Sequence, residues 1–359
     1  MCPLVLCCAL IDLFVFPGLR TCQISSSGGT WRRAGTRICY HKNNLKRETG
    51  KASKTRYFSE TFSMTFRHKG DKCFIAFHYP YTYTDSQRHL KGMVEARPDI
   101  VRRQLLCRTL GGNRCDLLTI TSTDPEDERT HPVAKRKYVV LSGRVHPGES
   151  NASWMVKGLL DFVVGDTLDA RRLRRTYVFK VVPMLNPDGV ANGNHRCSLA
   201  GCDLNRKWRT PHPVLHPTIY RTRLLLSYLK LQGITPELYS DFHGHSRRKM
   251  IFMYGCSETA KVKQFPRALG EAATEFSMKN CRFSVTPDKE GSARVVVWRH
   301  YGVLRSYTIE STFCGFDRGA FHGDQICCQD MSNLGASFAR QLLTLAADEE
   351  PRTAPVVNL

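Results

Sequence analysis

From Lys137 onward, short apolar runs alternate with helix-length segments, and this alternation restricts the fold more than any other feature of the chain. YVVLSG (138–143) is a continuous apolar run ending in Gly143, the pattern of a strand buried on both faces. SNASWMVKGLLDFVVG follows with helical spacing, which puts Trp154, Leu159, Phe162 and Val163 on or near one face. YVFKVVPML reads as another buried strand. Residues 216–231 read as a helix leading into the strand end LYSDFHGHS. MIFMYG, a helix over 259–279, the strand RSYTIEST and a closing helix over 331–347 complete the series. Such a series predicts a mostly parallel sheet covered on both faces, an α/β fold.

Ahead of Lys137 the pattern is different. Residues 23–55 are polar and basic with little periodicity. YFSETFSMTF and KCFIAFHYPYTYT alternate and read as two strands of one antiparallel sheet. A basic amphipathic stretch over 86–108 reads as a helix, DLLTITST as a strand and PEDERTHPVAKRK as a charged loop. The expected division is an unassigned segment 1–30, a β-rich domain 31–134, an α/β domain 135–348 and a tail 349–359. The apolar start MCPLVLCCALIDLFVFPGL lacks a basic leading region and a cleavage site, and Asp12 interrupts it. It matches a signal peptide poorly and is too short for a membrane span.

Hydrophobic residues make up 42% of the 359-residue chain, enough for a sizeable core. The net charge of +21 favours anionic partners: nucleic acid, acidic membranes or acidic polypeptides. No nucleic-acid-binding motif appears, so nucleic acid is not the expected partner. The 15 cysteines form no CxxC pair, which argues against a structural zinc knot and for free thiols in a reducing compartment.

Open α/β sheets carry functional groups at the carboxyl ends of their strands. Three strand ends here do so: His146 with Glu149 after YVVLSG, His243 with His245 after LYSDF, and Glu310 in RSYTIEST. Any one of these is ordinary by itself. Together, two His and one Glu make a common catalytic zinc set with a position left open for water. Zinc chemistry also needs a base, and Glu310 stands in an otherwise apolar strand, where a lone carboxylate is costly. The loop NPDGVANGNHRCSLAGCDLNRKW (186–208) adds Arg196, Asn205 and Arg206. The guanidinium forks match carboxylates and developing oxyanions.

HPGES, NPDGV followed by NGNHRCSLAG and DLNRKW, DFHGHSRRK, IFMYG and YTIESTFCG together resemble the cytosolic carboxypeptidases, zinc carboxypeptidases that act as protein deglutamylases. YPYTYTDSQRHL and WRRAGTRICYHKN resemble the β-sandwich domain that precedes the catalytic domain in that family, and residues 1–30 do not. The resemblance covers about residues 31–347. It implies a mixed sheet covered by helices behind a smaller, shortened antiparallel β-sandwich, and one Zn2+ held by His146, Glu149 and His243, with His245 as the fallback ligand. It also implies Glu310 as general base and acid, Arg196 on the scissile carbonyl, and Asn205 with Arg206 on the terminal carboxylate. EGSARVVVWR (290–299) aligns with the specificity pocket of related enzymes, so Arg294 is expected to meet a glutamate side chain, with Arg299 and Arg305 as alternatives. The ordinary reading of these three arginines is that some of them only solvate a strand face. The implied substrates are acidic protein tails such as those of tubulin and microtubules. The implied location is the cytoplasm, with cytoskeletal association open and no membrane insertion. An aspartoacylase-like zinc amidohydrolase and an inactive binding remnant of the same fold stay open as alternatives. Asn151-Ala152-Ser153 is formally a glycosylation sequon, and its place beside the proposed ligands argues against occupancy.

Overall fold

The alternating runs assemble into a seven-stranded mixed sheet in the computed structural model, which describes residues 22–25, 31–46, 56–65 and 73–347. The apolar start and the tail 349–359 lie outside the described residues. The N-terminal strands are β1 (Cys22–Ser25), β2 (Arg32–Arg33), β3 (Thr36–Lys46), β4 (Arg56–Ser63) and β5 (Cys73–Ala76). They make two small antiparallel sheets, β2-β1-β5 and β3-β4. The two alternating segments expected to pair therefore lie in different sheets. β4 pairs with β3 and β5 with β1, both partners coming from the basic stretch that shows no period.

Next come α1 (Tyr83–Ala96), β6 (Val101–Arg108), β7 (Arg114–Ile120), α2 (Pro125–Thr130) and β8 (Lys137–Gly143). The expected helix over 86–108 is thus half helix and half strand. α1 starts in a capping box between Thr82 and Asp85 and stops at Arg97, ahead of Pro98, which disfavours helical backbone before it. The charged loop holds the short α2, capped by the Asp124 side chain. After β8 come α3 (Ser150–Val164), α4 (Leu168–Thr176), β9 (Tyr177–Val182), α5 (Pro187–Ala191), α6 (Pro217–Leu231), β10 (Leu238–His245) and β11 (Ile251–Tyr254). α7 (Ala260–Ala272), α8 (Ala293–Tyr301), β12 (Ser306–Thr312) and α9 (Cys328–Ala347) complete the chain.

The sheet order is β11-β12-β10-β8-β9-β7-β6. The four inner strands β12, β10, β8 and β9 run parallel, and β11 and the β7–β6 hairpin extend it antiparallel at either edge. The sheet spans the expected boundary at residue 135. β7 hydrogen-bonds to β9, so residues 101–120 belong to the same sheet as the strands that follow. Both faces are covered. Val139 and Leu141 of β8 pack in one core with Leu159 of α3, Phe265 of α7 and Phe338 of α9. Val140 points the other way, into a second core with Ile219 and Leu226 of α6 and Val296 of α8. α3 and α9 meet at backbone distance: a Cβ on Gly158 would stand 2.1 Å from the Ser332 carbonyl oxygen, and one on Gly335 2.0 Å from that of Met155. Cys107, Cys115, Cys197, Cys256, Cys281 and Cys314 are free thiols. Among the described residues no helix is long and apolar enough to cross a membrane.

Candidate metal centre

Strand ends deliver the central side chains. β8 stops at Gly143, and Arg144 takes a left-handed backbone at φ 55° that turns the chain toward α3. The buried Arg144 side chain then holds the turn, donating from Nε to the Pro147 carbonyl at 2.8 Å and from Nη1 to Ser153 Oγ at 2.8 Å. Gly148 N–H donates to the His195 carbonyl at 2.7 Å, and a Cβ on Gly148 would come within 2.4 Å of the His195 ring. Only glycine fits that approach. His146 and Glu149 are carried inward on this turn. His243 comes from the end of β10, and Glu310 is its direct partner on the adjacent parallel strand β12.

His146, Glu149 and His243 converge, with one donor atom from each lying within 4.8 Å of the others. Glu149 Oε1 lies 2.8 Å from His146 Nδ1, and its Oε2 lies 3.0 Å from His243 Nδ1. Gly244 N–H also donates to Oε2, at 3.0 Å. Burial opposes charge on Glu149, yet the two imidazoles hold its carboxyl well below the usual range. Two imidazoles and a carboxylate, buried and aimed at one point, are a donor set that fits zinc. Each ring is held from behind: His146 Nε2 lies 3.0 Å from Asp203 Oδ1, and His243 Nε2 lies 2.7 Å from Asp241 Oδ2. Such outer carboxylates orient metal-binding histidines. His245 stays outside this cluster. Its Nδ1 accepts the Arg247 and Arg248 N–H groups, each at 3.1 Å, and its ring packs on Phe252.

Glu310 faces the same cleft, of about 610 Å³. Burial pushes its carboxyl up to about 8, a shift that His243 offsets in part and Glu149 reinforces. Arg196 lines the cleft and forks onto Asp203, with Nη2 at 2.6 Å and Nε at 3.0 Å from Oδ2. Burial raises the Asp203 carboxyl, but the His146 bond and the charges of Arg196 and Arg206 win and hold it well below the ordinary range. Asn205 is buried. Its Oδ1 accepts the N–H of Ala293, the first residue of α8, at 2.9 Å, and its Nδ2 lies 3.4 Å from His243 Nε2. Asn205 therefore ties down the start of α8 as well as lining the cleft. Arg206 lines it beside Asn205 and is about one-third exposed.

Residues 293–301, whose charges had an ordinary reading as a strand face, form a helix, α8, and its first turn buries Arg294. Arg294 donates to the Gly255 carbonyl and stands 5.8 Å from the centre of the Tyr254 ring. Among the described residues no carboxylate pairs with it. The two alternatives lie elsewhere: Arg299 pairs with Glu290 at 2.7 Å, and Arg305 pairs with Glu237 and with Gln264. The Asn151 side chain is fully buried and donates to the Thr312 carbonyl at 2.7 Å, so the sequon is closed to a glycan.

Asp203, Asp241 and Arg144 support the candidate site, and sequence reasoning did not single them out. Asp241 left a readable signal. It stands two residues before His243 on one strand, and alternate strand residues share a face. Asp203 and Arg144 left none, because they act through the tertiary contacts of an irregular loop.

An α/β sheet with a buried His, Glu, His cluster at its strand ends is the framework of a metal-binding α/β protein. The chain belongs to the zinc carboxypeptidase family, whose sequence pattern matches residues 86–316. It is similar to Cytosolic carboxypeptidase 1 of Danio rerio, 47% identical over 348 residues, and of Xenopus laevis, 46% identical over 341 residues. Those alignments cover 89% and 88% of this chain but only 30% and 28% of the relatives, so the chain spans under one-third of their length. In fold it is similar to a metallo-carboxypeptidase from Burkholderia cenocepacia, with a TM-score of 0.74 and 22% identity. That match covers 92% of this chain and 81% of the other.

Proposed function

We propose that this chain is a zinc metallocarboxypeptidase that removes glutamate residues, C-terminal or branched, from acidic protein tails, with tubulin as a substrate. The observation that carries the choice of substrate is Arg294: a buried guanidinium lining the cleft that makes no ion pair with a carboxylate among the described residues. A buried charge without its counter-charge is costly, and an acidic side chain entering the cleft would supply one. The net charge of +21 supports an acidic partner in the same direction. The names of the relatives support a cytoplasmic location.

His146, Glu149 and His243 would hold the ion. What zinc supplies there, when bound, is Lewis acidity toward a carbonyl and a lowered pKa for water. Glu310 takes the proton of the attacking water and later gives it to the leaving amine. Arg196, fixed on one side by Asp203, offers its remaining donors to the carbonyl oxygen as charge develops. Arg206 presents a fork to the terminal carboxylate, and Asn205 keeps α8, and with it Arg294, in place.

The test is release of free glutamate from a polyglutamylated tubulin-tail peptide, with and without a zinc chelator, beside Glu310→Gln. The expected result is chelator-sensitive release that the variant lowers by about 10² to 10⁴. A folded, zinc-loaded wild type that releases no glutamate would overturn the reading, in favour of another acyl substrate or binding alone.

A further inference from the structure

Behind His243 stands a file of buried polar side chains, none of which is a metal ligand. Asp241 and Tyr239 precede His243 on β10 at alternate positions and so share its face. Ser142 is the register partner of Asp241 on β8. Ser142, Tyr239 and Asp241 are all fully buried. Asp241 Oδ2 lies 2.7 Å from His243 Nε2, and its Oδ1 accepts the Ser142 hydroxyl at 2.7 Å. Ser142 Oγ lies in turn 2.7 Å from the Tyr239 hydroxyl.

The direction of each hydrogen follows from counting donors. A carboxylate only accepts, so Nε2 of His243 carries the ring proton and Ser142 gives its single proton to Asp241. Tyr239 then has to donate to Ser142. With Nε2 tied to Asp241, Nδ1 is the ring nitrogen that points into the cluster, 3.0 Å from Glu149 Oε2, where a bound metal would take the place of a proton. Asp203 does the corresponding work behind His146, but it is partly exposed and shared with Arg196. Among the described residues Asp241 has no such cation, and its side chain is sealed from water.

We infer that Asp241, backed by Ser142 and Tyr239, is a positioning residue of the metal site: it fixes the tautomer and tilt of His243. The inference rests on reading His146, Glu149 and His243 as that site. An amide at 241 could donate to Nε2 and favour the proton on Nδ1, the wrong nitrogen for a ligand. Zinc affinity is thereby set in part by three side chains that never touch the ion.

The experiment measures zinc affinity of the purified chain by competition with a chromophoric chelator, and the visible spectrum of the cobalt-substituted protein. Wild type, Asp241→Asn and the double variant Ser142→Ala with Tyr239→Phe are compared, with folding checked by circular dichroism. Asp241→Asn is expected to weaken zinc binding by about 10- to 100-fold and shift the cobalt bands, and the double variant to weaken it less. A folded Asp241→Asn protein with affinity within about twofold of wild type and an unchanged cobalt spectrum would overturn the inference. If Asp241→Asn does not fold, the folded double variant decides it by the same criterion. A wild type that binds no zinc would sink the metal reading itself, which keeps the two failures distinct.

Discussion

Arg294 is held by the Gly255 carbonyl and the face of Tyr254, and burial pulls its guanidinium below its ordinary pKa. On the proposed reading, such a residue would trade stability for selectivity. Arg294→Gln is expected to lower kcat/KM for glutamate-terminal peptides by about 10², mostly through KM, and to leave leucine-terminal peptides little changed. The same variant should unfold at a higher temperature than wild type. Equal losses on both peptides would mean that Arg294 only shapes the cleft. At this scale the sequence was informative where chemistry sits on a regular element. His243 and Glu310 announce themselves as polar residues in apolar strands. Asp203 did not, because a carboxylate in a polar loop looks solvated until the fold places His146 3.0 Å away.

Elements meet at two places that single substitutions can probe. α3 and α9 touch through Gly158 and Gly335, where a methyl group would overlap a carbonyl oxygen of the other helix. Gly335→Ala is therefore expected to destabilise the fold by about 1–3 kcal/mol in chemical denaturation. An unchanged midpoint would show that the helices can shift apart freely. The second place is Asp116 on β7, which accepts from Arg103 of β6 at 2.9 Å, Gln87 of α1 at 2.9 Å and Arg114 at 3.1 Å. Burial raises its carboxyl, but these donors prevail and its pKa lies below the ordinary value. A depressed folded-state pKa stabilises at pH above the unfolded value, near about 3.9, and that contribution is lost as pH falls through the folded one. Asp116→Asn should thus cost about 1.5–3 kcal/mol at pH 7 and the same at pH 5, with the gap to wild type closing below about pH 4. A gap independent of pH would rule out the charge as its source. This hairpin joins the large sheet although it lies ahead of the boundary expected at residue 135. β6, at the sheet edge, buries only Val101 and leaves its other positions half-buried or exposed, unlike the continuous apolar runs of β8 and β9. Pattern reports how a strand is covered, and only pairing reports which sheet it joins.

For the molecule as a whole, the excess of positive charge should act at long range on an acidic tail. Raising salt from about 0.05 to about 0.5 M is expected to increase KM for a polyglutamylated peptide while kcat holds, since screening weakens encounter more than buried contacts. A salt-independent KM would confine recognition to the cleft. The N-terminal strands are tied into this body by Arg33 of β2, whose guanidinium donates to the Ile326 carbonyl at 2.8 Å and the Phe313 carbonyl at 3.1 Å. Phe313 itself lines the cleft, so these strands brace one of its walls. The pairing of His243 with Glu310 across β10 and β12 has a last consequence. Side chains on a strand alternate in direction, so a slip of one residue would turn the carboxylate to the opposite face. The spacing of Glu310 and His243, the proposed base and metal ligand, is thus written in the main-chain hydrogen bonds of a buried sheet. Loops around the cleft can be exchanged to alter what enters it, and the ruler between those two groups would keep its length.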